Sequence, residues 1–428
     1  MRIRAITIGQ MIPFLLKNET ILSFLQDKLR KFSAFYNEFS DMLEKFNIKI
    51  DTKRIASQPL FSYDNKLFYE KNLKETLVDI DDQLRFLHDV FKDYGINYFA
   101  SAMMRADQIQ ELGIFEKLLL DEVPQFILNK RNFFTSLPVA SSDKGINLIA
   151  LRSGAKIIKN LSEPDPFNNL QFCVSANVGP NFSFFPAAYH LSEKPAFSLA
   201  LEMADEVINV FENSKSLKEA QLNLLSKFNE IYDNLTKIAE KLARSYDIEF
   251  KGIDFTPAPY PKIERSIGTA IEKLGIDYFG ANGTLTAIAL IKNSIPVEKE
   301  KVIGFSGFMQ PVLEDFTLSK RLSENKFNLD SLILYSTMCG AGLDVVPLPG
   351  DISERELFYI LLDICTISVL LNKPLTCRLM PIPGKKSGDN VDFDFEYFAP
   401  SKIIKFRRLI RENKNDLFHG NEKTLKFL

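Results

Sequence analysis

Short apolar segments alternate with amphipathic ones along nearly the whole chain, and no other feature limits the fold as tightly. RAITIG at Arg4–Gly9, NIKIDTKRIAS, INYFASAMM, FFTSLPVA, QFCVSANV and IEFKGIDFT have the length and the β-branched or aromatic content of strands. Between them lie helical stretches such as Glu19–Phe46, which places Ile21, Leu22, Leu25, Leu29 and Phe32 on one face. Adding IDYFG, KVIGFSGFM, Leu332–Met338 and LTCRLM brings the count to about ten strands, nearly all separated by helices, which predicts a mainly parallel sheet with helices outside. Ala196–Phe211 and Leu217–Tyr246 both read as helix, so a helical elaboration is expected near 196–246. No Pro/Gly/Ser-rich linker divides the chain, and residues 1–428 are read as one domain ending in a tail at 401–428.

The stretch Ser331–Asp389 shows the unit most clearly. SLILYSTM reads as a buried strand, CGAGLDVVPLPGD as a glycine–proline loop, and Ser353 with Glu356 as the capping box of a helix. LTCRLM is the returning strand and PIPGKKSGD a second polar loop. A βαβ unit makes its strands parallel and puts the following loops at one end of the sheet, the end where α/β proteins bind ligands. Several other strands also run into polar or glycine-rich phrases, which points to a site gathered at that mouth.

The candidates follow from that placement. Cys339, between strand and glycine loop, is read as a nucleophilic or redox thiol, with Gly340 and Gly342 turning backbone N–H groups toward an anion. The same position also suits a small buried residue beside a tight turn. His190 and Asp344 are candidates for proton transfer. Arg378, charged yet inside a strand, must face a cavity or a buried acid, and with Lys385 and Lys386 it would grip a carboxylate or phosphate. Asn282 and Thr284 in GANGT could hold an anion at a helix start. Asp254, Glu314 and Asp315 follow predicted strands and form a carboxylate set able to bind a divalent metal ion, the one cofactor the sequence suggests. PGKKS is not a phosphate-binding loop of the Walker type, because Leu379 stands where its first glycine belongs.

Composition excludes other classes. The net charge is −2 with 25% charged residues and no basic block, so no nucleic-acid partner is expected. The longest apolar run, Leu357–Leu371, is broken by Asp363 and too short for ~30 Å of hydrocarbon, so no membrane partner is expected either. The start lacks a cleavable signal pattern, and the expectation is a cytoplasmic protein. Four cysteines in 428 residues do not make a disulfide framework.

Three phrases, CGAGLDVVPLPGD, NKPLTCRLMPIPGKKSGD and FDFEYFAP, resemble the signature of the uncharacterised family known as domain of unknown function 711 (UPF0210). GFSGFMQPVLED, SIGTAIEKLG and NVGPNFSFFPAAYH resemble other segments of that family, from about Gln171 onward, and in the N-terminal third only RAITI does. The resemblance implies a closed α/β barrel similar to that of pyruvate formate-lyase-type enzymes, and no known reaction. An R-V-x-G-Y type glycyl radical segment is absent from the tail, so radical chemistry is not carried over. The combined expectation is a large α/β barrel acting on a small anionic metabolite through a loop thiol. A metal-dependent carboxylate enzyme and a non-catalytic ligand-binding or oligomeric scaffold are the alternatives, and assembly into a homo-oligomer is kept as an expectation.

Overall fold

The computed structural model describes residues 1–61, 72–109, 111–128, 130–410 and 416–427, so part of the tail lies outside the described residues. Its strands include β1 (Arg2–Gly9), β2 (Lys53–Ala56), β3 (Tyr98–Ala102), β4 (Phe133–Ser141), β5 (Gly145–Asn147), β6 (Phe172–Ala176), β7 (Ala196–Glu202), β8 (Glu249–Ala258), β9 (Gly342–Pro349) and β10 (Leu375–Ile382). The main sheet runs β8-β7-β1-β2-β3-β4-β6-β10-β9. Only β7–β1 and β6–β10 pair antiparallel along that path; the other neighbours are parallel. Helices Asn18–Glu44, Leu73–Asp93, Leu148–Ser162, Leu217–Tyr246 and Glu354–Leu370 bury one side in the main core, which extends from Ile3 to Ile404.

The sheet is a mixed α/β sheet, mostly parallel as expected, and its paired strands end at β8 and β9. The irregular segment 301–312 touches both of these edges. Val302 bridges Ile253 of β8, Phe308 bridges Cys339, and Pro311 bridges Asp344 of β9, all in parallel sense. An edge strand leaves unpaired backbone groups, and this segment covers some of them: Ile303 N–H donates to Ile253 O, and Val312 N–H donates to Asp344 O.

Five element assignments differ from the sequence reading. Ser331–Met338 is not a strand: Leu329–Tyr335 is a helix, capped by Asn328, and the strand is the following Gly342–Pro349, which reads as a loop because of its glycine and prolines. Gly342 is required where β9 begins, since its φ is +90° and a Cβ there would lie 2.4 Å from Thr376 O. Pro347 and Pro349 are tolerated because β9 is an edge strand. Ala196–Glu202 is strand β7, not helix: its Ala, Leu and Glu favour helix, but its place between β1 and β8 overrides propensity. IDYFG forms turns, and KVIGFSGFM forms only the bridges described above. The βαβ unit itself holds, with β9 and β10 parallel and Ser353/Glu356 forming a capping box.

Buried Asp315 joins two helix starts. Its carboxylate accepts from Leu318 N–H (2.9 Å), Ile267 N–H (2.6 Å) and Ser266 Oγ (2.7 Å). Asp315→Ala should therefore lower unfolding free energy by about 3 kcal/mol, with Asp315→Asn losing less, as read by urea denaturation. Gly342→Ala should destabilise by more than the ~1 kcal/mol typical of a point change, because Thr376 backbone cannot move aside.

Candidate functional site

A cavity of about 110 Å³ lies against the inner side of the sheet. Strands from the first to the eighth place in the sheet order supply its walls: Thr256 of β8, Ala200 of β7, Arg4 of β1, Arg54 of β2, Tyr98 of β3, Phe134 of β4 and Arg378 of β10. Only a strongly curved sheet can aim residues so far apart at one space. Two irregular segments reach into the curve, bringing Ser183, Phe184 and Phe185 from one and Phe305 and Met309 from the other. Phe395 and Tyr397 close part of the rim, from a strap between the short paired strands Asn390–Val391 and Ser401–Lys402. The strap alternates, with Phe393, Phe395 and Tyr397 half-buried and Asp392, Asp394 and Glu396 exposed.

A line of alternating charges crosses the cavity wall. Arg378 Nε donates to Asp344 Oδ1 (2.6 Å), its Nη1 to Leu170 O (3.3 Å) and its Nη2 to Glu314 Oε1 (3.0 Å). Glu314 Oε2 accepts from Arg4 Nη2 (3.3 Å), and Arg4 Nη1 donates to Glu202 Oε2 (3.1 Å). Glu202 also pairs with Arg265. Burial opposes the Arg378 charge, but Asp344 and Glu314 more than offset this and hold its pKa above the ordinary value. Burial pushes the Asp344 pKa up against the pull of Arg378, and Asp344 Oδ2 has no partner among the described residues.

Arg54 is different. Its Nε donates to Thr52 Oγ1 (2.8 Å), and its guanidinium lies over the rings of Phe185 (4.9 Å) and Tyr98 (5.6 Å). No carboxylate pairs with it among the described residues, and burial, reinforced by Arg4, pulls its pKa down to about 10. Its two Nη groups, without a protein acceptor among the described residues, form the fork that matches a carboxylate.

The predicted site residues separate into two groups. Arg378, Glu314 and Asp254 line the cavity, and Asp344 adjoins it through Arg378. Asp254 is occupied by main chain: Oδ1 accepts from Thr256 N–H, Thr256 Oγ1 and Ser306 N–H, and Oδ2 from Phe305 N–H. Asp254, Glu314 and Asp315 do not converge, and among the described residues no group of three or more His, Cys, Asp or Glu is placed to hold a metal ion. Cys339 is fully buried and does not line the cavity; its thiol donates to Phe308 O (3.0 Å) and accepts from Gly342 N–H (3.3 Å). Burial pushes that thiol up, more than Lys373 and the N–H groups bring it down. Gly340 packs on Gly307, where a Cβ would meet backbone at 3.1 Å.

His190 lies elsewhere. Its N–H donates to Ser57 O, beyond the end of β2, and its ring meets Asn181 Oδ1 and Lys194 O. It packs on Gly9, five residues along β1 from Arg4, on the order of 16 Å in a strand. Burial lowers its pKa. Lys385 and Lys386 are exposed, at the same end as Asp351 as expected, but outside the cavity. Asn282 is exposed, and Thr284 is buried, accepting from Gly280 N–H in its own turn. Arg4 and Arg54 were missed, although each is a charge inside a strand, the same signal that singled out Arg378.

Among the described residues no helix is long and apolar enough to cross a membrane. A family model described as Uncharacterised ACR (DUF711) matches residues 1–400, which includes the N-terminal third. A UPF0210 protein of Pyrobaculum aerophilum is 29% identical over 324 residues, 72% of this chain and 69% of the relative. UPF0210 proteins of Oenococcus oeni (25% over 376 residues; 83% and 79% covered) and Acetivibrio thermocellus (26% over 391; 86% and 82%) are similar over more of their length. The chain, with its arginine-lined cavity, belongs to the uncharacterised UPF0210 (DUF711) family.

Proposed function

We propose that the protein binds a small organic anion in the cavity, and that any reaction it catalyses takes place there. The observation carrying this reading is Arg54: a cation held in place by Thr52 and two rings, with its fork left over and no ion pair among the described residues, Glu314 acting on it only from a distance. Arg54 is half-buried; a charge drawn out of water without a partner is costly, and an anion on the fork would relieve it. Arg378 acts here as a positioning residue, since its nitrogens are taken by Asp344, Glu314 and Leu170 O. Cys339 has a structural part, tying the start of β9 to segment 301–312. A divalent metal has no part, because the oxygens of Asp254 and Asp315 serve N–H and hydroxyl groups and those of Glu314 serve two guanidinium groups. The sheet is read as a barrel, because segment 301–312 spans from β8 to β9.

Three substitutions test this. Arg54→Met should leave the unliganded protein within ~1 kcal/mol of wild type, because it removes an unpaired charge. It should also weaken binding of a stabilising anion at least tenfold in calorimetry. Arg378→Met should cost about 3–5 kcal/mol in urea denaturation, since Asp344 and Glu314 would stay buried without their cation. Cys339→Ala should keep anion affinity within about twofold, a change below ~0.5 kcal/mol. A tenfold loss there, with Arg54→Met binding normally, would return the thiol to the centre of the function.

A further inference from the structure

We infer that the cavity's ligand is a small monocarboxylate with an aromatic or similarly flat apolar body, its carboxylate on the Arg54 fork and its body among the rings. This rests on the reading of the cavity as an anion site and specifies the class of anion.

The number of charges comes from the pairing. Arg2 has Asp51, Arg4 and Arg265 share Glu202, Arg4 and Arg378 share Glu314, and Arg378 also holds Asp344. Asp254 is answered by backbone N–H groups and Thr256. Among these arginines, Arg54 alone has no ion pair with a described residue. One unpartnered cation calls for one negative charge. A phosphate monoester would bring a second, unmatched in a place where burial already penalises charge.

The shape of the head comes from the fork. Thr52 fixes Nε, the Phe185 and Tyr98 rings cover the guanidinium, and the two Nη groups remain. A planar carboxylate can take two parallel N–H···O bonds from them.

The character of the body comes from what else lines the space. Tyr98, Phe134, Phe184, Phe185, Phe305 and Phe395 present ring surface. The aliphatic hydroxyl groups are committed: Thr52 Oγ1 donates to Arg4 O, Ser183 Oγ to Ser198 Oγ, and Thr256 Oγ1 to Asp254, which leaves only the phenol tips of Tyr98 and Tyr397. A polyol or sugar would bury hydroxyl groups without partners, at a cost a hydrocarbon or aryl body avoids. The volume, about 110 Å³ against the 10–15 Å³ one water needs, suits on the order of ten water-sized groups, the size of benzoate.

The test compares benzoate, benzamide, phenyl phosphate, inorganic phosphate and glycerol by calorimetry and thermal shift on the full chain, for wild type, Arg54→Met and Arg54→Lys. The expected result is saturable benzoate binding at least tenfold tighter than benzamide or either phosphate. That binding should be lost in Arg54→Met and weakened in Arg54→Lys, which keeps the charge but not the fork. Phenyl phosphate or inorganic phosphate binding tighter than benzoate, still dependent on Arg54, would overturn the monocarboxylate class and leave the anion site standing. Equal binding of benzamide would overturn it as well. If no anion in the panel binds in an Arg54-dependent way, both this inference and the anion site fall.

Discussion

Six charged side chains in alternation hold the interior of the sheet together: Asp344, Arg378, Glu314, Arg4, Glu202 and Arg265. They connect β9 and β10 at one side of the sheet to β1 and β7 near the other, through Glu314 on the segment that follows Pro311. Such a chain is a poor source of net stability, because desolvation offsets most of its attraction. Its effect is on specificity: Arg378 and Arg4 must each meet two acids, so the curvature of the sheet and the seating of the inserted segments cannot vary independently. The cavity is the space left where this line of charges faces the aromatic residues of the inserted segments and the strap.

Arg54 stands out against that background. Elsewhere on the wall the fold supplies each guanidinium with a carboxylate, but it surrounds this one with rings and a threonine. A protein interior does not gain stability that way. A local departure of this kind is the reason an anion is proposed at this position. The glycines nearby have a different explanation. Gly340 and Gly342 allow segment 301–312, β9 and Thr376 to approach closely, and so shape the wall from behind.

Much of the candidate site was legible in principle. Arg378 was singled out because a charge inside a buried strand needs either a cavity or an acid, and it adjoins both. Arg4 in RIRAITIG and Arg54 in KRIA carry the same signal. Cys339 drew attention through its glycines, but a glycine-rich phrase marks close backbone approach as readily as a catalytic turn. His190 could not be placed at all, because FFPAAYH passes from Phe185 at the cavity to His190 at the far end of β1 within a few residues.

Strand–helix alternation, the βαβ unit with its Ser353 capping box, the family resemblance and, among the described residues, the lack of a membrane-crossing helix were all determined by sequence, because each depends on short-range pattern or on composition. The tertiary structure alone decided that Ala196–Glu202 joins the sheet, that Gly342–Pro349 is a strand, and that Ser183–Phe185 and segment 301–312 reach the cavity. Those outcomes depend on which neighbours a segment meets, and local propensity does not carry that information. The same holds for Arg54: its position in a strand is written in the chain, but its lack of an acid partner follows from how strands far apart in sequence are brought around one space.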